Sequence, residues 1–215
     1  MKKIIFMIFA LILIASFAIT VISTDFFTNQ NEKISDMLDI SSRDETIVVT
    51  VGNEKIYQWQ IDQIVKSSKI SIENAKAQFS EKQLKEMGIF LSAKSEDKAL
   101  EELIEKQVLL NEAERQNLII DEENARKIAQ QNFENVKKEN GESYAVIKKY
   151  IQNNSLTEEK YIEQLTSVYV KNAKIAKVKE IYETSFAGTQ EEKEIALNRY
   201  IDSLISSENI EYISK

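Results

Sequence analysis

Residues 97–128 read DKALEELIEKQVLLNEAERQNLIIDEENARKI, and the fold turns on them. Ala99, Leu100, Leu103, Ile104, Val108, Leu110 and Ala113 recur at spacings of three and four, which lays an apolar stripe along one helix face. Glu101, Glu102, Glu105, Glu112 and Glu114 take the opposite face. Gln116 and Asn117 end the pattern, and Leu118-Ile119-Ile120 forms a short apolar bridge. Asp121 then stands where an N-cap belongs, with Glu122 and Glu123 in the first turn of a second helix, where the helix dipole favours acids. The stretch predicts helix, tight apolar turn, helix, and the first helix is striped enough to be a core.

Composition sets the outer bounds. The chain has 215 residues, with Lys+Arg 28 against Asp+Glu 35 and a net charge of -7. Such a surface repels phosphate backbones, so no nucleic-acid partner is expected. Histidine, cysteine and proline are absent, and there are 4 glycines. Without His or Cys there is no Ser-His triad, no thiol nucleophile, no His-ligated metal and no disulfide. Scarce turn residues beside abundant Glu, Lys, Ile, Leu and Ala favour helices over a β-rich fold.

The run from Ala99 to Ile128 resembles the signature of the SurA N-terminal chaperone domain, shared by periplasmic SurA and the Gram-positive PrsA-type foldases. That family carries a helix patterned A-L-x-x-L-I-x-x-x-L-L-x-x-E-A, an apolar turn and an acid-rich helix start. A second stretch, LTEEKYIEQLTSVYVKNAKIAKVKE at 156–180, is similar to the family's Leu-Ser/Thr-Glu-Glu start to a long helix, in the right order along the chain. The resemblance implies a mainly α multi-helix domain with a small β element, in which strands from the two ends of the domain pair. It implies binding of unfolded polypeptide clients.

Around these signatures the rest of the chain falls into place. Met1-Lys2-Lys3 precedes an apolar run over residues 4–22, about the length that crosses a bilayer core. The lysines place the N-terminus on the cytoplasmic side and the remainder outside. Residues 1–22 are read as a signal peptide cleaved near Ser16-Phe17-Ala18 or as a retained transmembrane anchor. The domain would then sit on the extracytoplasmic side of the cell membrane, or be secreted if the leader is cleaved. Residues 23–46 are polar and read as a spacer, and residues 47–215 as the SurA N-terminal-like helical domain.

Within that domain, Ile47-Val48-Val49-Thr50-Val51 is β-branched throughout and predicts a strand. Gly52-Asn53-Glu54 supplies a turn, where the family shows Asn-Gly, and Lys55-Ile56-Tyr57 returns. Tyr57 stands where the family places a Ser or Thr cap. Helices are expected over 59–66 (Ile61, Ile64 and Val65 inward), 72–79 and 81–87, the last with a Ser80/Gln83 capping box. A helix from Asp121 uses Ile128, Ala129, Phe133 and Val136, with Gly141 as its stop. Another spans 143–151, and Thr157 caps a long helix with Tyr161, Leu165, Val168, Tyr169, Ala176 and Tyr182 inward. Thr189 and Glu192 open a final helix carrying Ile195, Leu197, Tyr200, Ile201, Leu204 and Ile205. Alternation at 209–213 predicts a closing strand that pairs with 47–51, since neither would be stable alone.

In SurA and PrsA-like proteins the long helix leads into a parvulin prolyl-isomerase domain. Here it leads to the Thr189 capping box, and histidines like those of such a site are missing. Paired carboxylates such as Glu101/Glu105 and Glu158/Glu159 are explained by solvated faces and helix starts, and no D-x-D-x-D-G calcium loop appears. No catalytic, cofactor-binding or metal residue is assigned, and no cofactor. Trp59 and the tyrosines at helical spacing are read as core. The expected function is a holdase-type chaperone without isomerase activity. A cell-envelope scaffold holding one specific partner is the alternative, and an isomerase-type foldase a remote one. Phe79, Met87, Ile89, Phe90 and Leu91 are the candidate client-binding residues, because residues 88–95 (GIFLSAKS) carry an apolar trio in a loop.

Overall fold

A computed structural model describes residues 43–86 and 92–213. They divide into two compact units, one of residues 43–118 with 174–215 and one containing 119–173. Residues 1–22, expected to be a leader or anchor, and residues 23–42 of the expected spacer lie outside the described residues.

The first unit begins with β1 (Ile47–Val51) and β2 (Glu54–Tyr57), an antiparallel hairpin. Gly52 has φ 61, while Asn53 is not among the residues of positive φ. A two-residue turn that is left-handed at its first central position is of type II′, which puts glycine first, so Gly-Asn rather than Asn-Gly fits here. Helices α1 (Gln58–Gln78) and α2 (Glu81–Glu86) follow, then α3 (Glu96–Arg115). Strand β3 (Ile210–Tyr212) comes after the last helix and pairs antiparallel with β1, aligning Val49 with Tyr212 and Val51 with Ile210. The sheet order is β2-β1-β3, so the two distant β segments do close on each other.

The predicted central helix is central. The hairpin, α1 and the last helix, α7 (Gln190–Ser207), all lie against α3. Val49, Val51, Val108, Leu109 and Ala113 are fully buried, with Ile56, Ile104, Val178, Leu197, Ile201 and Leu204 around them. Ser95 caps α3 by accepting from the Lys98 amide, and Thr189 and Glu192 form the expected reciprocal box on α7. Arg115 bridges Glu112 at 2.8 Å and Glu208 at 3.2 Å, joining the end of α3 to the C-cap of α7, two residues before β3.

Several local expectations change. One helix, α1, replaces the two expected over 59–66 and 72–79. In the stretch between them, Ser67 and Ser68 donate their hydroxyls to the Ile64 and Val65 carbonyls at 3.0 and 2.8 Å, which satisfies them inside the continuous helix. Tyr57 supplies no side-chain acceptor at the start of α1. Instead the Gln58 and Trp59 amides donate to the carbonyls of Thr46 and Asp44, and Gln60 accepts from the Tyr57 amide. Leu109 is buried in place of Leu110, and Val178 in place of the exposed Ala176. Ile195 faces outward while its neighbour Ala196 faces in.

The second unit contains α4 (Glu122–Glu139), α5 (Glu142–Asn153) and the first part of α6 (Glu158–Ser185). Asp121 caps α4 by accepting from the Asn124 amide at 2.9 Å, and Thr157 accepts from the Lys160 amide at 3.1 Å. Asn140, not Gly141, takes the left-handed C-cap of α4, with φ 46. Asparagine tolerates that region because its short polar side chain bonds locally. The core packs Ala125, Ala129, Val146 and Leu165 around Phe133, whose ring lies 5.6 Å from Tyr161 and 6.3 Å from Tyr144. Ile128, expected inside, is exposed.

Candidate functional site

Of the sequence-predicted client-binding residues, Phe79 is described. It forms the C-cap of α1 in an extended conformation, and its ring is 40% exposed. Met87, Ile89, Phe90 and Leu91 lie outside the described residues. The chain on either side of them is anchored. Ser80 and Gln83 form the expected capping box, and Leu84, fully buried, anchors the otherwise exposed α2. On the far side the Lys94 amide donates to Ser68 Oγ at 3.0 Å, returning the chain to α1.

A groove of about 400 Å³ runs between α3 and α7, with Ile201 and Ile205 beneath an acidic rim. The rim is largely neutralised from within. Glu101 pairs with Lys98 at 2.6 Å, Glu105 with Lys179 at 3.0 Å, and Glu102 with Lys106 at 2.8 Å and with Lys94. Burial works against the Glu102 charge, yet hydrogen bonds from Lys106 and Lys94 hold its carboxyl below the usual range. At the far end of α3, burial likewise opposes the Glu112 charge, and donors from Gln116, Arg115 and Tyr200 outweigh it. These carboxylates are structural partners. Among the described residues no cluster of three or more Asp and Glu could hold a metal ion.

The sheet leaves two outer edges, and they differ. The Gly52 amide donates to the Asn209 carbonyl at 2.8 Å and the Ile213 amide to the Val48 carbonyl at 2.9 Å. Because main-chain groups alternate along a strand, Asn209, Glu211 and Ile213 face β1, and the N–H and C=O groups of Ile210 and Tyr212 point away from it. By the same alternation Lys55 is the residue of β2 whose main chain faces outward between two ladder pairs. One edge thus presents an apolar pair and the other a lysine. Tyr212 is 66% exposed and Ile213 47%. Sequence alternation revealed the pairing of β3 but said nothing of which side would stay open. Among the described residues the most exposed large apolar one is Ile119, at 94%, in the bridge between α3 and α4.

The sequence matches the SurA-like N-terminal domain family over residues 1–173. The chain belongs to that family. The match takes in the whole of the first signature run and residues 156–173 of the second, and the mainly helical fold with its three-stranded antiparallel sheet agrees with it. SurA-like domains form a chaperone-type family that binds unfolded polypeptides in general. No curated protein and no solved structure matches the chain. Among the described residues no helix is long and apolar enough to cross a membrane.

Proposed function

We propose that this protein is an extracytoplasmic holdase-type chaperone, delivered or tethered by residues 4–22, that binds unfolded or partly folded exported proteins without isomerising them. The observation that carries this reading is the SurA-like family match. Exposed apolar side chains on well-packed elements, Phe79 and Tyr212 among them, support it. They give non-native apolar segments weak contacts with little side-chain preference, as promiscuous binding requires. The net charge of -7 keeps such a surface soluble and draws basic segments of clients. Ile89, Phe90 and Leu91, apolar by sequence, are the further candidates for client contact in this reading.

The test is dilution of a chemically unfolded client into buffer containing the full chain, followed by light scattering. Suppression near equimolar ratio is expected, and the double variant Phe90→Ser, Leu91→Ser is expected to lose most of it while keeping its circular dichroism. No suppression at tenfold excess would overturn the reading. Crosslinking in intact cells that returned one stoichiometric partner, rather than a spread of clients, would favour an envelope scaffold instead.

A further inference from the structure

We propose that the outer edge of β3 takes up an extended, apolar segment of a client polypeptide as a fourth strand of the sheet. The inference rests on the chaperone reading and names one route by which clients are held. The main-chain donors and acceptors of Ile210 and Tyr212 point away from β1, and among the described residues no strand covers them. Two residues spaced by two, each offering an N–H and a C=O in one direction, are complementary to an extended backbone and to little else.

Folded proteins blunt such edges with lysine, proline or a bulge. The β2 edge follows that rule through Lys55 and a register shift between Ile47 and Val49. The β3 edge presents isoleucine and tyrosine instead. Tyr212 and Ile213 project to opposite faces, so an added strand meets an exposed apolar side chain on each side. Glu211 is the acid within the strand, which disfavours acidic segments there. Recognition through the main chain is indifferent to sequence, as a binder of unfolded chains needs. With only two residues available the grip is short, which allows release.

The experiment uses the full chain and two fluorescent ten-residue peptides of alternating Val and Thr ending in Lys, one of them N-methylated at every amide, so that neither of its edges can donate. Anisotropy is expected to show binding of the plain peptide and at least about fivefold weaker binding of the methylated one, as loss of main-chain bonds requires. Tyr212→Pro removes an outward N–H while leaving the Ile213 bond to Val48 in place, so it should fold and lose the peptide. Tyr212→Thr, which keeps the N–H, should bind within about threefold of the unaltered chain. Equal binding of both peptides, or unchanged binding by Tyr212→Pro, would overturn the proposal. Client suppression that persists in full in Tyr212→Pro would overturn it too, while leaving the chaperone reading standing. Absence of suppression in the unaltered chain would remove the reading itself. A concentration-dependent dimer abolished by Tyr212→Pro, without peptide binding, would assign the edge to a second copy and overturn the proposal.

Discussion

The two units of this chain solve the same packing problem with different side chains. In residues 43–118 and 174–215, branched aliphatics from strands and helices interlock: Val49 and Val51 with Val108, Leu109 and Val178. Segments from both ends of the unit meet there, and the Arg115 bridge to Glu112 and Glu208 fastens them. In residues 119–173 the centre is Phe133 among tyrosines, with alanines where the α4 backbone comes close. Tyr150 and Tyr161 stack edge to face at 5.9 Å. The aliphatic cluster keeps its hydroxyls at the margin, where Tyr182 and Tyr200 stack at 4.2 Å and Tyr200 donates to Glu112. Aromatic packing fills space with few residues but brings hydroxyls into a dry setting, where they make stability depend on pH.

The largest expected effects come from emptying each centre. Phe133→Ala should cost about 4 kcal/mol and Leu109→Ala about 3 kcal/mol, read by urea unfolding. Hydrogen exchange should then show protection falling first in 119–173 for the former and in the sheet for the latter. Equal loss at both places from either change would break the contrast.

A smaller effect depends on pH and centres on Tyr161, although burial also raises the Tyr200 hydroxyl in the other unit. Burial, aided by Tyr150 and Tyr169, pushes the Tyr161 hydroxyl up to about 12. The group keeps its proton in the folded state after the unfolded chain has lost it near pH 10. Its contribution is therefore complete below about pH 10 and is lost as pH rises toward 12, by about 2 kcal/mol. Tyr161→Phe should flatten that alkaline decline in the urea midpoint, and an unchanged slope would show that Tyr161 is not its source.

The smallest effect has the opposite sign. Ser143, buried at the start of α5, has a hydroxyl without a hydrogen-bond partner among the described residues. Ser143→Ala removes an unsatisfied group and should raise the melting temperature, by about 1 kcal/mol in stability. A drop instead would mean that the hydroxyl is bonded in solution.

What could be read from sequence was whatever depends on near neighbours. The caps at Asp121, Thr157 and Thr189 were legible because a side chain and an amide three residues on satisfy one another wherever the helix packs. The pairing of 47–51 with 210–212 was legible because two short β-branched or alternating runs have few other partners. The phase of burial was less so. Leu109 and Leu110 are chemically identical neighbours, and only the position of the sheet decides which faces it. The continuity of α1 through 67–71 was not legible either; there Ser67 and Ser68 bond to carbonyls within the helix. Of the site, the apolar character of Phe79 was readable. The open side of β3 was not, because it depends on which neighbour a strand lacks.

The partnership of β1 with β3 also has a temporal side. The first strand of its unit is made early and its mate arrives after all seven described helices. A chain emerging N-terminus first must carry β1 half-paired while residues 119–173, whose contacts are closer in sequence, have time to form. Until the last strand appears, the β3 side of β1 is unpaired.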